Sequence, residues 1–196
     1  KSEMVSRRFI PWLMGKHPRE NLIFATYNED FANDFGSDCR SVMTSPQFLQ
    51  VFPEFGFRQG NISKGKLQTE QGGAAFFVGR GGSITGRGGC VILDDPIKDA
   101  VEAQSPTLRE TLWNWFTQVL MTRLTTSKAF VVIVQTRWHE DDLVGRLTDP
   151  MNPHFNEDEA RKWKLINLPA FAGESDPQRI RLWFQIWKVA GSLVTH

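Results

Sequence analysis

The chain has 196 residues, and 40% of them are hydrophobic, including 15 Phe and 7 Trp, so a sizeable core can form. This composition excludes an intrinsically disordered chain and a collagen-like one. The formal net charge of +1 gives no sign of a protein that coats nucleic acid. Cys39 and Cys90 are too few and too far apart for a disulfide framework or a zinc site, and we expect them to be reduced, buried thiols. No apolar run reaches the length of a membrane span.

Short apolar runs alternate with segments of helical periodicity along the chain. This alternation predicts an α/β fold with a parallel sheet flanked by helices, because strands that are apolar on both faces are typical of buried parallel sheets. In chain order, the pattern predicts helix 2–14, strand 22–26, helix 28–43, strands 62–69 and 74–78, strand 90–93, helix 105–123, strand 129–134, helix 141–147 and strand 164–168.

The middle of the sequence differs from the rest in its glycine content and local charge. Residues 72–89 hold 8 of the 16 glycines. The longer stretch 57–89 contains one acid, Glu70, and five basic residues: Arg58, Lys64, Lys66, Arg80 and Arg87. We interpret it as a glycine-rich β-hairpin insertion with its turn at Gly72-Gly73.

Two carboxylates, Asp94 and Asp95, directly follow the apolar run 90–93. Ligands of open parallel sheets bind outside the carboxyl ends of the strands. A carboxylate at that place can hold a Mg²⁺ that bridges nucleotide phosphates, and a second one can orient an attacking water. Taken alone, the pattern also fits an ordinary turn after a strand.

Two further segments fit the same chemistry. Lys1-Ser2, followed by a helix, matches the end of the phosphate-binding loop G-x-x-x-x-G-K-[ST], although the glycines of that loop are not in this chain. Thr136 follows the strand at 129–134, where a hydroxyl can sense the γ-phosphate. The neighbouring His139-Glu140 does not continue as the zinc motif H-E-x-x-H, because residue 143 is Leu.

Residues 84–147 closely resemble the large terminase subunit of tailed bacteriophages, through Asp94-Asp95-Pro96 and the run 136–147 that begins Thr-Arg-Trp-His-Glu. The resemblance extends more loosely over roughly residues 1–177. It implies a P-loop ATPase domain that hydrolyses ATP with Mg²⁺ and drives double-stranded phage DNA into a procapsid. It also implies a homo-oligomeric ring, a portal protein and a small terminase subunit as partners, and the host cytoplasm as location.

The resemblance also implies roles for individual residues. Lys1 and Ser2 look like the end of the Walker A loop, with Ser2 on the metal. Asp94 looks like the Walker B carboxylate on Mg²⁺, and Asp95 occupies the position of the catalytic base. Thr136 lies in the motif that is thought to couple hydrolysis to movement. Arg87 looks like the arginine that stabilises the transition state, and Arg80 is the alternative for that role.

The chain departs from the family at both ends. In the family, a metal-dependent nuclease domain follows the ATPase domain. We expect residues 1–177 to be a partial ATPase domain that starts inside Walker A, and residues 178–196 to be a divergent tail without that nuclease domain. The central strand before the phosphate loop is then missing, which predicts an open edge at 129–135 unless strand 164–168 pairs there. Such a fragment is expected to be inactive and poorly stable alone.

Two alternative functions remain open. The chain can be a catalytically dead P-loop remnant that only binds a partner, which the missing glycines favour. It can also be a helicase-like ATPase that is not a terminase, although the sequence has no strand ending in Asp-Glu-x-Asp/His. A glycine-rich loop encoded just before Lys1 would favour the motor over the remnant.

Overall fold

A computed structural model describes residues 2–60, 63, 65–84, 88–124 and 129–166. Five strands form one sheet in the order β2-β3-β1-β4-β5. Their bounds are Asn21–Thr26 (β1), Lys66–Gln68 (β2), Ala74–Gly79 (β3), Cys90–Asp94 (β4) and Phe130–Val134 (β5). The α-helices are Ile10–Lys16 (α1), Glu29–Met43 (α2), Pro46–Val51 (α3), Ala100–Ala103 (α4), Pro106–Trp115 (α5), Leu143–Thr148 (α6) and Glu157–Ala160 (α7).

The sheet is mostly parallel, as the sequence predicts. β1 pairs in parallel with both β3 and β4, and β4 pairs in parallel with β5, while β2 adds an antiparallel strand outside β3. The carboxyl ends of β1, β3, β4 and β5 therefore lie along one edge of the sheet. This is the edge where an open α/β sheet binds its ligands.

Helices cover both faces of the sheet and produce two hydrophobic clusters. Alternate strand residues point to opposite faces. One face, which includes Phe24 and Ile92, packs against α1, α2 and α3. The other face, which includes Ile23 and Leu93, packs against α5 and α6. The result is a three-layer α/β/α arrangement, and it confirms the predicted α/β class.

The helix boundaries follow from capping residues that the sequence displays. The Asn28 side chain accepts a hydrogen bond from the Phe31 amide (2.8 Å) and starts α2. Ser105 caps α5, with Pro106 as the first helical residue. Such capping satisfies amide groups that have no partner within the helix. Past Trp115, a π-helical turn and a 3₁₀ turn carry the chain to Arg123, where the predicted helix ends.

The first helix begins with a wide turn. Residues Glu3–Phe9 are π-helical and continue directly into α1. Pro11 lacks the N–H that would bond to the carbonyl of Arg7, and its ring crowds that carbonyl. The turn before Pro11 is wide for this reason. It places Ser2 and Ser6 beside the carboxyl end of β4.

Two predictions about the strands need correction or fall partly outside the described residues, and a third agrees with the structure. The glycine-rich hairpin exists, but it is not an insertion, because β3 pairs with β1 inside the main sheet and only the short β2 extends it. Residues 164–166 form no strand, and the rest of the predicted strand 164–168 lies outside the described residues. β5 pairs only with β4 among the described strands, which agrees with the predicted open edge.

None of the helices in the described part of the chain is long and apolar enough to cross a membrane.

Candidate functional site

Asp94 is the last residue of β4 and lies at the carboxyl edge of the sheet. Its side chain is only 1% exposed. The Ser2 hydroxyl donates to Asp94 Oδ1 (3.1 Å), and the Ser6 hydroxyl donates to Asp94 Oδ2 (2.5 Å). Both oxygens of this carboxylate thus accept hydrogen bonds from the first helix. The contact brings together Ser2 and Asp94, two predicted site residues that are 92 positions apart.

Asp95 is held in an unusual backbone conformation. Its φ of 40° is the only positive value at a non-glycine residue in the described part of the chain. The Asp95 amide donates to the Val134 carbonyl (2.7 Å), and Asp95 Oδ1 accepts from the Thr136 amide (3.0 Å). Strained backbone of this kind occurs often at functional sites, where the surrounding structure enforces it. The predicted residues Asp95 and Thr136 are therefore in direct contact.

Thr26 ends β1 on the sheet face where Asp94 lies. Strand β1 runs beside β4 with Ala25 opposite Leu93, so Thr26 follows one step beyond, next to Asp94. Its hydroxyl is fully buried and has no hydrogen-bond partner among the described residues. A buried hydroxyl without a partner is costly and needs an explanation, such as a bound ligand or water.

Arg80 follows β3 and is engaged in an ion pair. Its guanidinium donates to Glu102 Oε1 (2.5 Å) and to the Pro96 carbonyl (3.0 Å). The second Glu102 oxygen accepts from the Lys98 amide (2.7 Å). The Arg80 hydrogen bond lowers the pKa of the Glu102 carboxyl. Arg80 thus fixes the loop that follows the two aspartates.

A second pair of aspartates, Asp141 and Asp142, lies in the same loop as Thr136, between β5 and α6. Asp141 accepts two hydrogen bonds from Arg146 (2.8 and 2.9 Å) and one each from Arg109 (3.0 Å) and Asn152 (3.0 Å). The Arg146 guanidinium holds the pKa of the Asp141 carboxyl well below its usual range. This network joins α5, α6 and the segment after α6.

Asp142 has a different environment from its neighbour. It caps α6 through the Gly145 amide (2.8 Å) and accepts from Arg137 Nε (2.5 Å). Burial raises the pKa of the Asp142 carboxyl. The nearby His139 Nδ1 accepts from the Asp141 amide (2.9 Å), so this nitrogen shapes the turn. In the run 136–142, the two aspartates thus bind arginines.

The donor set at Asp94 suits Mg²⁺. A hydroxyl and a carboxylate oxygen are hard ligands, and Mg²⁺ in nucleotide sites takes one or two protein ligands together with phosphate oxygens and waters. The described ranges contain no cluster of three His, Cys, Asp or Glu side chains that could hold a metal alone. Ser2 and Asp94, with the buried Thr26 hydroxyl beside them, fit a metal that arrives with a nucleotide.

Two predicted site residues, Lys1 and Arg87, lie outside the described residues, so their roles stay predictions. Two residues at this edge were not predicted: Ser6 and Thr26. Ser6 follows Ser2 by four positions, which places both on one helix face. Thr26 is the only hydroxyl residue in β1 and stands at its carboxyl end. These positions are apparent in the sequence, but the sequence does not show that either side chain lies near Asp94.

The chain matches no family model, and no curated protein matches it.

Proposed function

We propose that this chain is the ATPase core of a DNA-packaging motor of the large-terminase type, which hydrolyses ATP with Mg²⁺ to move double-stranded DNA. The observation on which the proposal depends is the hydrogen bond from the Ser2 hydroxyl to Asp94 (3.1 Å). In P-loop NTPases, the phosphate-loop Ser or Thr and the Walker B Asp hold the Mg²⁺ together. The sequence pairs these residue types, and their side chains meet.

Each residue of the site has a separate role in the proposed hydrolysis. Ser2 and Asp94 would hold the metal, which when bound neutralises charge on the phosphates. Asp95 would accept the proton of the attacking water, and the Thr136 amide orients its carboxylate. Thr136 lies two residues beyond the end of β5, so it links the base to that strand.

The terminase part of the proposal has a different support. It depends on the sequence resemblance over residues 84–147, and the partners that this resemblance implies are the portal protein, the small subunit and further copies in a ring. The same proposal expects a glycine-rich G-x-x-x-x-G sequence directly before Lys1 in the full-length protein.

The test measures Mg²⁺-dependent ATP hydrolysis and nucleotide binding by the full-length protein that contains this chain. Asp94→Ala should abolish turnover, because it removes a metal ligand. Asp95→Asn should lower kcat by about 10²–10⁴-fold and leave ATP binding largely intact, because only the base is lost. Asp34→Asn, on the exposed side of α2, is the matched control and should behave as wild type.

Normal hydrolysis by Asp95→Asn would contradict the assignment of the base. A correctly folded wild-type protein without ATP turnover would contradict the enzyme and favour a binding module. Stimulation of turnover by double-stranded DNA separates a DNA motor from an ATPase that acts on another substrate.

A further inference from the structure

Ser6 is a fully buried serine in the π-helical turn that opens the chain. Its hydroxyl donates to Asp94 Oδ2 at 2.5 Å, across 88 residues of sequence. This contact is shorter than that of the Ser2 hydroxyl, which donates to Asp94 Oδ1 at 3.1 Å. Short hydrogen bonds to ionised acceptors are the strong ones.

This contact differs from the usual hydrogen bond of a serine in a helix, in which the hydroxyl donates to a backbone carbonyl of the preceding turn. Ser37 and Ser41 on α2 donate to the carbonyls four residues earlier (3.0 Å each), the usual local arrangement. Ser6 instead donates to a distant carboxylate. The choice indicates that its hydroxyl serves the site rather than its own helix.

The backbone of Ser6 is also fixed from outside its helix. The Cys39 thiol on α2 donates to the Ser6 carbonyl (3.3 Å). Burial raises the pKa of Cys39 to about 12, so the thiol keeps its proton at neutral pH and remains a donor. The turn that contains Ser6 is therefore tied to α2 on one side and to β4 on the other.

We propose that Ser6 is a positioning residue of the nucleotide site: it holds Asp94 Oδ2, so that the other carboxylate oxygen is presented to the metal beside the Ser2 hydroxyl. This inference depends on the proposed function. A metal such as Mg²⁺ demands a precise ligand geometry, and partners that orient a ligand contribute to affinity without touching the metal.

The test measures Mn²⁺ binding by electron paramagnetic resonance, with a non-hydrolysable ATP analogue present and with the full-length protein. Ser6→Ala should weaken Mn²⁺ affinity about 10–100-fold, the usual effect of losing a group that orients a metal ligand. At saturating Mg²⁺, its kcat should recover to within a few-fold of wild type. Ser37→Ala, which removes a hydroxyl with only a local backbone contact, is the matched control and should leave the affinity unchanged.

A second pair of variants separates positioning from folding. Ser6→Thr keeps the hydroxyl and should retain most of the metal affinity, whereas Ser6→Cys keeps the size but has a weak donor and should bind Mn²⁺ as poorly as Ser6→Ala. A Ser6→Ala or Ser6→Cys protein with lower thermal stability but unchanged Mn²⁺ affinity would overturn the inference. A wild-type protein that binds no metal–nucleotide would overturn the proposed function itself.

Discussion

Two aspartate pairs, Asp94-Asp95 and Asp141-Asp142, lie at or after the carboxyl ends of buried strands at the same edge of the sheet. Their side chains accept hydrogen bonds from different kinds of donor. The described donors on the first pair are the hydroxyls of Ser2 and Ser6 and a backbone amide. The second pair accepts from the guanidinium groups of three arginines: Arg109, Arg137 and Arg146. The described donors thus differ in kind: hydroxyls and an amide at the first pair, guanidinium groups at the second.

The difference indicates what each pair does. Arginine partners neutralise a carboxylate and fix its place, so Asp141 and Asp142 brace the loop after β5. The hydroxyls of Ser2 and Ser6 orient the Asp94 carboxylate at the carboxyl edge of the sheet, where a cation would bind under the proposed function. The same two letters in sequence therefore produce a structural brace in one place and a candidate metal ligand in the other.

The largest effect should come from removing one charge in the first pair. Asp94→Asn keeps the size and one acceptor oxygen, but it removes the charge that holds the metal. We expect ATP turnover to fall at least about 100-fold, because metal stabilisation of the transition state is worth several kcal/mol. The free energy of unfolding should change by no more than about 3 kcal/mol, the worth of one hydrogen bond to a charged group. Steady-state kinetics and urea unfolding of the same protein give both values.

The second pair should show the opposite balance. Asp141→Ala leaves the guanidinium groups of Arg109 (9% exposed) and Arg146 (4% exposed) buried without this carboxylate. Losing one partner of a buried ion pair costs about 3–5 kcal/mol. We expect that loss in urea unfolding, while Asp158→Ala on the exposed side of α7 changes stability by less than about 0.5 kcal/mol. A stable Asp141→Ala protein would remove the distinction between the two pairs.

Within the second pair, the two carboxyls should respond to acid in opposite directions. The pKa of Asp141 lies below its ordinary value of 3.8, so its stabilising contribution is complete above pH 3.8 and is lost as the pH falls further. The pKa of Asp142 is raised by burial, so protonation of this group favours the folded state as the pH falls from the raised pKa toward 3.8.

Unfolding free energies measured between about pH 3 and 6 test this opposition. Asp141→Asn should flatten the loss of stability at the acid end. Asp142→Asn should remove the opposing gain and keep the α6 cap, because Asn caps helices as well as Asp does. Equal pH profiles for the two variants would contradict the assigned environments.

Much of the fold was predictable because local signals agree with the tertiary structure. The apolar runs became β1, β4 and β5, and Asn28 and Ser105 start helices where their capping chemistry indicates. The sequence could not show that β3 lies beside β1. The hairpin pattern predicts that β2 and β3 pair with each other, but it does not predict which strand pairs with the other side of β3. The π-helical turn could not be predicted because a segment of 7 residues is too short for its apolar spacing to distinguish the wider π-helical period from the α-helical one.

Site residues that belong to a sequence motif could be predicted, whereas those brought to the site only by the tertiary fold could not. Asp94, Asp95 and Ser2 belong to recognisable patterns, whereas Ser6 looks like any polar residue on a helix. Its role became visible only when the fold placed it 2.5 Å from Asp94. Arg80 was a candidate transition-state arginine in the sequence, and only the structure shows its ion pair with Glu102.

The smallest predicted effect concerns Thr26, whose buried hydroxyl lies in the hydroxyl-lined region around Asp94. Thr26→Val keeps the shape and removes a polar group that has no partner among the described residues, so the ligand-free protein should become more stable by about 1 kcal/mol. Thr69→Val is the matched control, because Thr69 is equally buried but donates to the Pro18 carbonyl (2.5 Å) and accepts from the Gly73 amide (3.0 Å). That control should lose about 1–3 kcal/mol.

If the Thr26 hydroxyl serves the bound nucleotide, the added stability that Mg²⁺-ATP gives should be smaller in Thr26→Val than in wild type. A Thr26→Val protein as unstable as Thr69→Val would show that the hydroxyl belongs to the core rather than to the site.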